Sequence, residues 1–142
     1  MDDPDIRVTP DRNALDSQDP ECFRLLVDCV KDYAIFMISP SGEVLSWNRG
    51  AEFLKGYHAA DIVGHSIERF YTEEDRRSGN PRRLLRIAAT TGRVEDESRQ
   101  VRKDGTRFWA NVVITALYNA GGDLLGYANV TRDVSERRRA HA

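Results

Sequence analysis

Residues 99–118 read Arg-Gln-Val-Arg-Lys-Asp-Gly-Thr-Arg-Phe-Trp-Ala-Asn-Val-Val-Ile-Thr-Ala-Leu-Tyr, and this stretch decides the fold. Two β-like runs flank Lys103-Asp104-Gly105. Asp-Gly between such runs marks a tight hairpin: both central turn positions call for φ > 0, which Asp and Gly tolerate. The second run, Phe108-Trp109 followed by Val112, Val113, Ile114 and Thr115, is aromatic and β-branched. That composition suits a pleated, half-buried surface. The stretch therefore predicts one wall of an antiparallel sheet.

Working outward, residues 93–102 supply the first strand of this hairpin. Residues 124–132 add a third strand through the turn Asn119-Ala120-Gly121-Gly122-Asp123. Upstream, Asn80-Pro81 carries a cap-then-proline signature, Leu84, Leu85, Ile87, Ala88 and Thr91 line a helix face, and Gly92 closes it. Arg82, Arg83 and Arg86 fall on the watered side. Thr72-Glu73-Glu74-Asp75 resembles a capping box. Asn48 caps a short helix over residues 49–55 that Gly56 stops, and residues 60–63 add a turn ended by Gly64. Before these, residues 33–38 form an apolar strand. Ser39-Pro40-Ser41-Gly42 turns it into a second strand at 43–47. Phe23, Leu26, Val27 and Val30 recur at helical spacing from Glu21 to Asp32, behind an Asp19-Pro20 cap. Two strands, several short helices and three strands make an α+β domain: an antiparallel sheet with helices on one face, preceded by an amphipathic helix.

The chain has 142 residues, 40% apolar and 31% charged, enough for one domain with a core. Net charge is −2, which argues against general nucleic-acid binding. Acidic residues crowd residues 1–32, and arginines cluster at 76–86 and 137–139. We divide the chain into an acidic N-terminal arm (1–20), a domain with its lead-in helix (21–134) and the start of an exit helix (135–142). No apolar run is long enough for a bilayer and no signal-peptide core is present, so the expected location is the cytoplasm. Cys22 and Cys29 lie seven apart, two helical turns, and are expected to be reduced. Three scattered histidines and two cysteines give no metal spacing. There is no phosphate loop and no nucleophile elbow. Glu95-Asp96-Glu97 reads as solvated edge charge. Catalysis is not expected.

The motifs in order resemble the PAS domain family of bacterial sensor modules. They are Gly42; Trp47-Asn48-Arg49-Gly50-Ala51-Glu52; Gly56-Tyr57; Ile62-Val63-Gly64; residues 102–109; and Gly126-Tyr127-Ala128-Asn129-Val130-Thr131-Arg132-Asp133-Val134-Ser135. The resemblance covers residues 23–138. It implies a five-stranded antiparallel sheet curled around short helices. His58 stands where the family often has Ser or Thr to cap the next helix, so a looser helix start is expected there.

The resemblance implies a sensory module that detects a small ligand or partner and passes the signal through its C-terminal helix to an effector such as a histidine kinase. Alternatives are a stand-alone small-molecule-binding protein and a purely structural dimerisation domain. Asp133 and Ser135 stand at the family's exit motif. Candidates for the pocket lining are Phe53, Ile67, Phe70, Leu84, Ile87, Phe108, Ala110, Val112 and Ile114, around a small uncharged organic ligand. No cofactor is expected. Ile67 stands where flavin photosensors carry their reactive cysteine, Ala110 and Thr131 replace flavin-facing Asn and Gln, and the matching long helix carries no haem-ligating His. Partners are expected to be a second copy, through Phe23, Leu26 and Val30, and an effector domain or signalling protein, with no nucleic acid and no membrane insertion.

Overall fold

The structure is a computed structural model that describes residues 20–140. The chain runs α1 (Pro20–Cys29), β1 (Ala34–Ile38), α2 (Arg49–Lys55), α3 (Ala59–Ile62), a 3-10 turn (Ile67–Phe70), α4 (Glu73–Ser78), α5 (Asn80–Thr91), β2 (Arg93–Val101), β3 (Arg107–Tyr118), β4 (Leu124–Asp133) and α6 (Ser135–Ala140). The expected arm lies outside the described residues except for Pro20, which opens α1.

β2 and β3 pair antiparallel from Arg93↔Thr115 to Val101↔Arg107. Along β3, Phe108, Ala110, Val112 and Ile114 are buried, while Trp109, Asn111 and Val113 between them are half-buried. This is the period-two alternation of a sheet with one covered face. The turn differs from the two-residue type. Gly105 N–H donates to the Arg102 carbonyl and Arg102 N–H to the Thr106 carbonyl, both at 2.9 Å. Only Gly105 has positive φ, +91°. Asp104 does not take positive φ; its carboxylate accepts from the Thr106 amide and hydroxyl, and Gly105 alone in the turn takes the left-handed place.

The sheet order is β1-β4-β3-β2. It has four strands, not the expected five. Residues 43–47 run beside β1, but only Val44 bridges it, to Ile38. The backbone acceptors of a regular ladder are replaced by side chains: Met37 N–H donates to Ser46 Oγ and Ile35 N–H to Asn48 Oδ1, both at 2.9 Å. Residues with short polar side chains compete for the backbone in this way.

Asn48 explains its motif. Its Oδ1 also caps α2 by accepting from Ala51 N–H at 2.8 Å. Its Nδ2 faces the carbonyls of Val27, Val30 and Tyr33, each at 3.1 Å. Those bonds capture carbonyls of the last turn of α1 and the segment after it, and the helix ends at Cys29 rather than Asp32. A Cβ on Gly50 would lie 1.9 Å from the Tyr33 carbonyl oxygen, so the backbones of α2 and the β1 lead-in meet where no side chain fits.

Gly56 and Gly92 end α2 and α5 as expected. Asn80 does not cap α5. Gly79 takes that position while ending α4, and Asn80 instead accepts from the Arg83 side chain. His58 makes no side-chain cap to α3, in line with the departure noted above. One apolar cluster joins the inner sheet face to α2, α3, α5 and the 3-10 turn.

Candidate functional site

The hollow between sheet and helices is filled by rings. Phe36 and Trp47 lie 5.1 Å apart, and Phe70 packs at 5.6 Å from each of them and 5.9 Å from Tyr57. Trp47 Nε1–H donates to the Tyr57 carbonyl at 2.8 Å, satisfying the polar edge of a mostly buried indole.

Of the expected lining, Ile67, Phe70, Leu84, Phe108, Ala110, Val112 and Ile114 are brought together in this core, and Ile87 is half-buried on α5. Phe53 is a correction: it is 86% exposed on the outer side of α2. The buried stripe of α2 runs through Gly50, Ala51 and Lys55, and helical geometry turns residue 53 away from it. Ile67, Ala110 and Thr131 all lie buried.

Lys55 is the residue that hydropathy hides. It is 1% exposed, and Nζ donates to Gln100 Oε1 at 2.6 Å. The same nitrogen stands 4.1 Å from the Phe70 ring centre and 5.4 Å from that of Phe36. Burial lowers its ammonium from lysine's ordinary 10.5 to about 7, because desolvation penalises the charged form. The signal in the sequence is its position four after Ala51, on the same helix face.

Gln100, on β2, also bridges Tyr71. Burial first, then the negative charges of Asp96 and Asp75, push the Tyr71 phenol above its usual range. Asp96 is a second correction: among the acidic trio it turns inward, and its Oδ2 and the Ser98 hydroxyl are buried without a hydrogen-bond partner. A polar row, Asp96-Ser98-Gln100, thus borders the aromatic cluster on alternate positions of one strand.

From this region a hydrogen-bonded path leads to the exit helix. Arg102 Nε donates to the Leu54 carbonyl at 3.0 Å, next to Lys55, and its Nη2 pairs with Asp133 Oδ2 at 2.9 Å. Asp133 Oδ1 accepts from Ser135 N–H at 2.9 Å. Ser135 Oγ accepts from Trp109 N–H at 2.9 Å, and Val134 N–H donates to the Trp109 carbonyl at 2.8 Å. Arg138 of α6 lies 3.7 Å from the Trp109 ring centre and bonds Glu97 at 2.7 Å.

α1 shows Leu25 and Leu26 exposed by 58% and 60%. Val30 is half-buried, and the Phe23 side chain lies outside the described residues. Cys22 is buried and Cys29 exposed, both as free thiols. His58 pairs with Glu52 at 3.0 Å. Among the described residues no three metal-ligating side chains come together, and no helix is long and apolar enough to cross a membrane.

A family model described as PAS domain matches residues 32–136. Two-component system protein A of Emericella nidulans is 48% identical over 122 residues, covering 86% of this chain and 18% of that protein. The chain thus spans under a fifth of the length of that curated relative. Among solved structures, a PAS domain from Colwellia psychrerythraea aligns with a TM-score of 0.75 at 22% identity, over 82% of this chain and 98% of that one. An RNA-binding light-oxygen-voltage receptor aligns with a TM-score of 0.73 at 24% identity, over 97% of this chain and 38% of that one. These likenesses concern the fold.

Proposed function

Since the chain belongs to the PAS domain family, we propose that it is a sensory input module, without catalytic activity of its own, that relays the state of its interior to an effector such as a histidine kinase. The observation that carries this reading is the path from the α2 carbonyls beside Lys55, through Arg102 and Asp133, to the first turn of α6. A small uncharged organic molecule among Phe70, Ile67 and Phe108 would displace α2 or the sheet, and Arg102 grips both. Kinship with a two-component system protein supports the effector class. The module works in the cytoplasm as a dimer, with the exposed Leu25 and Leu26 of α1 as its apolar seam.

Native mass spectrometry of the purified chain, with an absorbance scan into the red, tests both parts. Two copies per particle and a colourless retained small molecule are expected. A monomer defeats the α1 seam, and a bound flavin or haem defeats the colourless ligand. Loss of no small molecule on denaturation would favour a structural dimerisation domain instead.

The relay makes its own prediction. Asp133→Ala removes a partly buried ion pair and the carboxylate that accepts from Ser135 N–H, together worth roughly 1–2 kcal/mol locally. Amide exchange in α6 should speed up about tenfold, while the melting temperature of the sheet moves by only a few degrees. Global unfolding, or unchanged exchange in α6, would remove Asp133 from the relay.

A further inference from the structure

Among the described residues, Lys55 is the one side chain of the Asp, Glu, Lys, Arg or His types that is buried. Its surroundings suit an amine better than an ammonium. An ammonium carries three N–H donors, and Nζ meets one acceptor, Gln100 Oε1 at 2.6 Å. β1 offers it the Phe36 ring and the 3-10 turn the Phe70 ring. Beyond that turn, the Tyr71 phenol is joined to it through the Gln100 side chain, which bonds both. Among the described residues no carboxylate pairs with it. On its own helix Glu52 bonds His58, and the charges of Asp96 and Asp75 fall on Tyr71. The cations that follow Gln100 on the hairpin, Arg102 and Lys103, are paired with Asp133 and Asp61. Burial is therefore the cause that brings Lys55 down to about 7.

The helical turn that carries this amine is also the turn that the exit path grips. The Leu54 carbonyl accepts from Arg102 Nε at 3.0 Å, and the Lys55 carbonyl from Lys103 N–H at 2.9 Å. We propose that Lys55 is a proton-operated catch on the exit path: protonating Nζ draws the last turn of α2 toward water, loosens those two bonds, and frees Arg102 and Asp133 to release α6. Hydration supplies the drive. A buried ammonium without a counter-charge gains much by reaching solvent, and the flexible four-carbon stem lets it do so when the turn shifts. Near pH 7 the two forms are equally populated, and going from pH 6 to pH 8 changes their ratio about a hundredfold. The catch rests on the relay path of the proposed function, though not on a ligand in the interior.

The test is an NMR titration of the purified chain between about pH 5.5 and 8.5, the range in which histidines also titrate. Lys55 ¹³Cε reports the amine itself, and the Arg102 Nε–H and Ser135 N–H signals report the path. All three are expected to move with one midpoint near 7. Lys55→Met should abolish the movement at Arg102 and Ser135. His58→Gln, which removes the imidazole paired with Glu52 on the same helix, should leave it in place. A Lys55 ¹³Cε midpoint near 10 overturns the proposal whether or not the variants fold. So do Arg102 and Ser135 signals that stay still while Lys55 titrates, or that still move in Lys55→Met. Asp133→Ala separates this failure from failure of the relay, because it speeds exchange in α6 wherever the path holds, at any protonation state of Lys55.

Discussion

Lys55→Met is expected to raise stability at pH 7 and to abolish that gain near pH 10. The lysine ammonium titrates at about 7 in the folded chain and at 10.5 in the unfolded one. Between these values the unfolded chain holds one more proton, so wild-type stability rises with pH through the window. The full rise is roughly 5 kcal/mol at 1.36 kcal/mol per pH unit. Methionine fills a similar volume without a charge to desolvate. It leaves Gln100 Oε1 without its donor, which costs about 1–3 kcal/mol. The net gain at pH 7 is therefore about 3 kcal/mol, turning into a small loss near pH 10. Tyr71 limits the upper end. Its phenol is raised in the folded state, so stability is lost as pH passes the unfolded tyrosine value near 10. Urea unfolding at pH 7, 8.5 and 10 checks this. A flat wild-type profile, together with a variant less stable at pH 7, would mean that Lys55 is charged inside the fold.

Asn48→Asp should be the most damaging near-isosteric change in the domain. The carboxylate keeps both acceptor roles toward Ala51 and Ile35. It turns the other oxygen on the carbonyls of Val27, Val30 and Tyr33, of which Val27 keeps the Val30 N–H at 3.3 Å, at a site 3% exposed. Unsatisfied buried groups cost about 1–3 kcal/mol each, more when a charge is added. A loss of about 4 kcal/mol or more at pH 7 is expected, against about 3 for Asn48→Ala. Protonating the aspartate restores one donor. The gap between the two variants should therefore narrow, and then reverse, as pH falls toward 3. A urea midpoint for Asn48→Asp within error of wild type at pH 7 would remove Asn48 as the tie between α1, β1 and α2.

The alternation along β3 was legible because each side chain's face follows from its number, and the Gly56 and Gly92 stops because a helix end is a local event. Lys55 and Phe53 show where this fails. Hydropathy predicts the phenylalanine inside and the lysine outside, and the register of α2 on the sheet reverses them. Asp96 was misread for a related reason: a run of three acids looks solvated until the pairing with β3 fixes which member points inward. The missing fifth strand turns on Ser46 and Asn48 meeting β1 amides, and those contacts are invisible until the turn at residues 39–42 has closed. The residues of the exit path were legible as a motif, but their partners, Arg102 and Trp109, lie far off in the chain.

The side-chain bonding beside β1 has a further consequence. An outermost strand with free amides is a template on which another molecule's strand can be laid, the usual first step toward sheet-to-sheet aggregation. Here Ile35 and Met37 have already given their outward amides to Asn48 and Ser46. An incoming strand would find no donors at those positions. The same two short side chains that interrupt the ladder also close this border of the sheet against polymer growth.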